Sequence, residues 1–124
     1  MQNDPLTERV IGCCFKVHRQ LGPGFPERIY HNALRLALKK VGLNLESGKR
    51  YGVSYEDAKV GEFQVDLLIE GQVVLEVKAV TGVMPRVFEA QVLAYLKAAK
   101  LPVGLLVNFG NKSCQIRRLV ASSL

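Results

Sequence analysis

The stretch Phe63 to Lys78, FQVDLLIEGQVVLEVK, narrows the possible folds more than any other part of the chain. Two runs rich in Val, Ile and Leu flank one breaker, Gly71, which reads as two strands around a turn at Glu70-Gly71-Gln72. Successive strand residues point to opposite faces, so Phe63, Val65, Leu67 and Ile69 are expected on one face. Val73, Leu75, Val77 and Ala79 alternate in the same way. A three-residue loop containing glycine is a common hairpin connection and pairs Ile69 with Val73, merging the two apolar sets. A slip of one residue would turn Val73, Leu75 and Val77 onto the face of Asp66, so the pattern selects this parity.

The same register sets Asp66 opposite Glu76, with Lys78 two residues further on. Like charges directly opposite each other on a sheet are destabilising. Two acids and a lysine behind an apolar hairpin therefore suggest a place for a cation. Hard divalent cations such as Mg²⁺ take one or two carboxylates plus water and phosphate oxygens. Lys78 suits holding an attacking water or stabilising charge on a phosphate. The plain alternative is the solvated face of an amphipathic hairpin, and the hairpin alone does not separate the two.

Composition limits the rest. The 124 residues suit one domain with a single core, and 48% hydrophobic content excludes a disordered chain. No apolar run approaches the ~20 residues of a membrane span. The N-terminal MQNDPLTERV has acids and no apolar signal core. The three cysteines are odd in number, with Cys13 and Cys14 adjacent and Cys114 remote, which fits a reducing cytoplasm and buried thiols better than a disulfide framework. A net charge of +6, spread along the chain without a basic run, permits a polyanionic partner such as nucleic acid.

Along the chain, Leu6, Val10, Cys13 or Cys14, Val17 and Leu21 recur at helical spacing over residues 4–21, with Asp4 as cap and Pro5 at the first helical position. His18 lies on the flank of this helix, where a lone histidine is more often a hydrogen-bonded structural residue than a catalyst. Gly22-Pro23-Gly24 turns the chain. A second helix follows, with Pro26 in its first turn, an apolar stripe from Tyr30 through Ala33, Leu34, Ala37 and Leu38 to Val41, and Gly42 at its end. Glu27, one turn before Tyr30, reads either as an acid complementing the helix dipole or as a carboxylate aimed at the site.

Residues 43–57 read as a strand bent by Gly48 and Gly52. After the hairpin, Thr81 to Pro85 is a loop into a third helix over residues 86–99, with Phe88, Val92, Tyr95, Leu96 and Ala99 as its apolar stripe. Gln91 and Tyr95 share a face there. Val103 to Phe109 reads as a strand buried on both faces, and Ser113 to Leu119 as an edge strand. The expected order is ααβββαββ, an α/β sandwich with a mixed sheet flanked by helices.

Those elements and their polar residues resemble the PD-(D/E)xK nuclease superfamily, whose core is restriction-endonuclease-like. There a helix supplies Glu, a central hairpin supplies Asp and a (D/E)xK triplet, and the next helix often carries Gln. The matching residues are Glu27, Asp66, Glu76-Val77-Lys78 and Gln91, and Gln91 to Tyr95 is similar to the QxxxY element of one branch. Gly24-Phe25-Pro26-Glu27-Arg28-Ile29-Tyr30 is similar to the signature of the small GxxExxY family. So are the flanking stretches Val17 to Gly24 and Gly104 to Phe109. The residue before Asp66 is Val65, where the superfamily's name has proline.

The resemblance implies a single nuclease-like domain over residues 1–124. It implies Mg²⁺- or Mn²⁺-dependent hydrolysis of DNA phosphodiester bonds. Asp66, Glu76, the Val77 carbonyl and, through water, Glu27 would hold the metal. Lys78 would position water or stabilise the transition state, with Gln91 and Tyr95 meeting the substrate or orienting Lys78. The alternative is a catalytically weak or inactive nuclease-fold module that binds nucleic acid within a larger complex. Cutting both strands of a duplex calls for two sites and hence a homodimer.

Overall fold

The computed structural model describes residues 4–121 of the chain. Two helices come first, α1 (Pro5–Leu21) and α2 (Glu27–Lys40). Five strands follow: β1 (Leu45–Ser47), β2 (Arg50–Tyr55), β3 (Ala58–Gln64), β4 (Leu67–Ile69) and β5 (Val73–Lys78). Helix α3 (Arg86–Ala99) and strands β6 (Val103–Asn108) and β7 (Gln115–Val120) complete the fold. The main sheet runs β1-β4-β5-β6-β7, while β2 and β3 form a separate hairpin. Among the described residues only β5 and β6 pair in parallel, and α3 connects them. No helix among the described residues is long and apolar enough to cross a membrane.

The sheet is sandwiched. Leu67, Ile69, Val73, Leu75 and Val77 pack with Leu105, Val107 and Phe109 under α1 and α2. The opposite face carries Leu68, Val74 and Leu106 against Val92 and Leu96 of α3. Period-2 alternation in the strands and the helical stripes meet as expected. Asp4 caps α1 by accepting from the Thr7 N–H at 2.7 Å. Every residue of β6 is buried, as a central strand covered on both faces requires.

The mixed sheet with flanking helices is as anticipated, but the segment before α3 divides into five strands where three were expected. Gly48, at φ 70°, separates β1 from β2. A second break at Val65-Asp66 separates β3 from β4. The hairpin register Ile69↔Val73 holds, and Glu70 and Gly71 both take positive φ in its turn. The break reverses the parity upstream of it. Phe63 and Val65 pack toward α3, on the opposite face from Leu67 and Ile69. One unbroken strand from Phe63 to Ile69 would share a face. The Val65 N–H bonds the Lys49 carbonyl and the Asp66 carbonyl accepts from Gly48, so the chain there pairs with the β1–β2 junction and not with β5.

Candidate active site

Asp66 sits at that break, one residue before the β4–β5 ladder begins at Leu67↔Leu75. Side chains take over the next rungs. The Asp66 N–H donates to Glu76 Oε2 at 2.8 Å, and the Val77 N–H donates to Asp66 Oδ2 at 2.7 Å. Each carboxylate thus uses one oxygen to lock onto the other's strand. Asp66 Oδ1 and Glu76 Oε1 have no hydrogen-bond partner among the described residues, and neither is a sealed orphan. They remain available to a ligand.

Glu76 is 4% exposed. Burial pushes its carboxyl up to about 8, the Asp66 charge adds to this, the Asp66 N–H and Lys78 oppose it, and Glu27 raises it further. A buried carboxyl beside a second acid is held in its ionised form by a nearby cation. The hard oxygen donor set and the two free oxygens fit a divalent ion of the Mg²⁺ type. The pair carries a stability consequence. Because the folded value lies above the unfolded one, Glu76 stabilises the fold fully below about pH 4.5, and that contribution is lost as pH rises to about 8. In chelator, stability should fall over this window by at most about 1.4 kcal/mol per pH unit relative to Glu76→Gln. Denaturant melts of both proteins at several pH values check this, and parallel curves would contradict it.

Glu27 opens α2 and is exposed. The turn that places it is braced by Tyr30, a fully buried residue. The Tyr30 hydroxyl donates to the Gly22 carbonyl at 2.6 Å and accepts from the Phe25 N–H at 3.2 Å. Its ring stacks on Phe109 at 4.5 Å. Gly24 takes φ 113°, which favours glycine. In the Gly24–Glu27–Tyr30 spacing, the outer residues therefore shape the turn and Glu27 stays unpaired among the described residues. No group of three or more His, Cys, Asp or Glu side chains among the described residues stands close enough to hold a metal ion. Asp66 and Glu76 form the direct pair, and Glu27 acts on it from further away.

Lys78 projects on the α3 face, its Nζ 4.4 Å from the Phe88 ring centroid, and forms no ion pair with either acid. Tyr95 stacks on Phe63 at 4.2 Å, and Phe63 stacks on Tyr51 at 5.4 Å. Burial raises the Tyr95 hydroxyl, and the charges of Glu76 and Asp66 raise it further, which puts it within their field. Gln91 lies one turn from both Phe88 and Tyr95 on α3, half-buried, with no hydrogen-bond partner among the described residues. Asp66, Glu76, Lys78 and Tyr95 thus gather on the α3 side of β5.

His18 is apart from this group. Its Nε2 lies 2.9 Å from the Asn111 carbonyl and its ring stacks near Phe109, as the structural reading of that residue expects. Sequence reasoning missed the supports at Phe88 and Phe63, which it took only as apolar strand and helix residues. It also missed the amide clamp of Asn108, Asn111 and Gln115. Asn108 Oδ1 accepts from Val80 and Gly110, and Asn111 Oδ1 accepts from Gly82. An Asn in an otherwise apolar buried strand was the available signal.

A sandwich with an acidic pair at the break of its central hairpin, and a lysine two residues on, defines a nuclease-like α/β domain. A model of the PD-(D/E)XK nuclease superfamily matches residues 4–119. The chain belongs to the PD-(D/E)XK nuclease superfamily. Among solved structures it is similar to the crystal structure of SSO0001, with a TM-score of 0.62 and 21% identity, over 76% of this chain and 49% of that one. The chain therefore spans about half the length of that structure, and the likeness is one of fold. No curated protein matches it.

Proposed function

We propose that the protein is a divalent-metal-dependent nuclease that hydrolyses DNA phosphodiester bonds. The observation that carries this is the reciprocal Asp66–Glu76 lock, which leaves one oxygen of each carboxylate free beside a half-buried Lys78. Those two oxygens would hold Mg²⁺ or Mn²⁺, with the Val77 carbonyl beside them and Glu27 reaching through water. The bound cation would supply charge neutralisation at the scissile phosphate and acidify water.

The remaining steps fall to the chain. Lys78 is kept over Phe88 without a carboxylate partner, so its ammonium is free to orient the attacking water or to meet phosphate charge. Water attacks phosphorus in line, the new P–O bond forms and the ester P–O bond to the leaving strand breaks. Gln91 would orient Lys78 or bind the backbone, and Tyr95 would support it. The net charge of +6 favours a polyanionic substrate. The Gly24-to-Tyr30 turn supports placement in the GxxExxY family, and duplex cleavage calls for a homodimer. We read the 124 residues as one such domain.

Incubation with supercoiled and linear DNA, with Mg²⁺ or Mn²⁺ and with excess chelator, tests this. Metal-dependent nicking that chelator abolishes is expected. Among the described residues Asp66 and Glu76 stand as a pair without a third ligand beside them, which supports a second reading, a nuclease-fold binding module. DNA binding without cleavage under any metal would select it.

A further inference from the structure

We propose that the loop from Val80 to Arg86, which follows Lys78, is a prebuilt apolar wedge that seats Val83 against an unstacked base of DNA. This deepens the nuclease reading and rests on it. Val83 is 90% exposed, the most exposed large hydrophobic among the described residues, and Val87 in the first turn of α3 is 66% exposed. Met84 between them is buried and anchors the loop in the core under α3. The loop joins Lys78 of β5 to Phe88 of α3, which are themselves in contact.

The loop is held as a rigid object. The Val80 N–H donates to Asn108 Oδ1 at 2.9 Å, and Asn108 Nδ2 donates to the Val80 carbonyl at 3.0 Å. Asn111 repeats the pattern on Gly82, at 2.8 Å in both directions. Gln115 Oε1 accepts from Nδ2 of both asparagines, which fixes the orientation of each amide. Loop tips ordinarily keep their conformational freedom, and ordering one costs entropy. Four side-chain bonds to two backbone units remove that cost before a partner arrives.

The charges around Val83 select the partner. Arg86 and Lys112 are exposed and unpaired among the described residues, one at the end of the loop and one beside Asn111. Lys78 precedes the loop. A second copy of this chain would bring the same positive charges face to face. A nucleic acid places phosphates there and offers bases to the apolar tip. Apolar side chains inserted at a base step unstack it, and the cost is least where a base is already unpaired.

The test is fluorescence anisotropy with two short labelled duplexes, one fully paired and one with a single-base bulge, in Ca²⁺. Wild type is expected to bind the bulged duplex about tenfold more tightly. Val83→Ser, at a position too exposed to affect folding, should bind the paired duplex within about twofold of wild type and lose the preference. Equal discrimination by wild type and Val83→Ser, or none by wild type, overturns the wedge while leaving the nuclease reading intact. A wild type that binds neither duplex removes both. Sedimentation in which Val83→Ser dissociates a wild-type dimer would reassign the tip to self-contact and also overturn the wedge.

Discussion

Glu76→Gln is expected to lower DNA cleavage by at least about 10³-fold while the protein stays folded. The amide keeps an oxygen to accept from the Asp66 N–H, so the lock between the strands survives. What is lost is the negative charge that holds a divalent ion. With its carboxyl pushed up to about 8, Glu76 is mostly protonated in the metal-free protein at neutral pH and folding must take up that proton, so the amide variant should be as stable as wild type or more so. Asp66→Asn should show the same activity loss. Lys78→Ala should lose cleavage but keep metal binding, because Lys78 touches Phe88 and neither acid. Gel-based rates beside thermal melts check all three. Any of these variants cutting at the wild-type rate takes that residue out of the mechanism.

Gly110→Ala is expected to cost about 3 kcal/mol or more, and to lower Tm by roughly 10 °C. A Cβ there would lie 2.3 Å from the Val80 carbonyl oxygen, 2.5 Å from its nitrogen and 2.6 Å from its carbonyl carbon. All three are backbone atoms, so no rotamer change relieves the overlap. The Gly110 N–H also shares Asn108 Oδ1 with Val80, so the shift would break the clamp on the Val80–Arg86 loop. Gly12→Ala is the control. Nothing lies within 4 Å of its added Cβ in α1, and alanine there should gain about 0.5–1 kcal/mol. Equal melts for the two variants would show that the loops approach less closely than the structure has them.

The helices were legible because their stripes are long and their ends are punctuated by Pro5, Gly22 and Pro102. The hairpin register was legible because Gly71 leaves one parity that buries both runs. That register by itself sets Asp66 opposite Glu76. The strand break at Val65-Asp66 was not legible. Apolar alternation continues unbroken through Phe63, Val65 and Leu67, and only pairing with the Gly48–Lys49 backbone diverts the chain. Local pattern carries no record of such a distant partner. Glu27 was equivocal for a related reason, since its placement comes from Tyr30 bonding back to Gly22 and Phe25. The amide clamp was not legible because Asn108 and Gln115 read as residues of two separate strands, and only the fold brings Asn108 and Asn111 onto Val80 and Gly82 with Gln115 bridging them.

The most direct measurement is calorimetric titration of Mn²⁺ into wild type and into Asp66→Ala/Glu76→Ala, alone and with a short duplex present. A metal centre at the hairpin predicts saturable binding to wild type, tightened by the duplex, and its loss in the double variant. Undiminished binding in the double variant, or no binding to wild type even with the duplex, contradicts a metal held between those two strands.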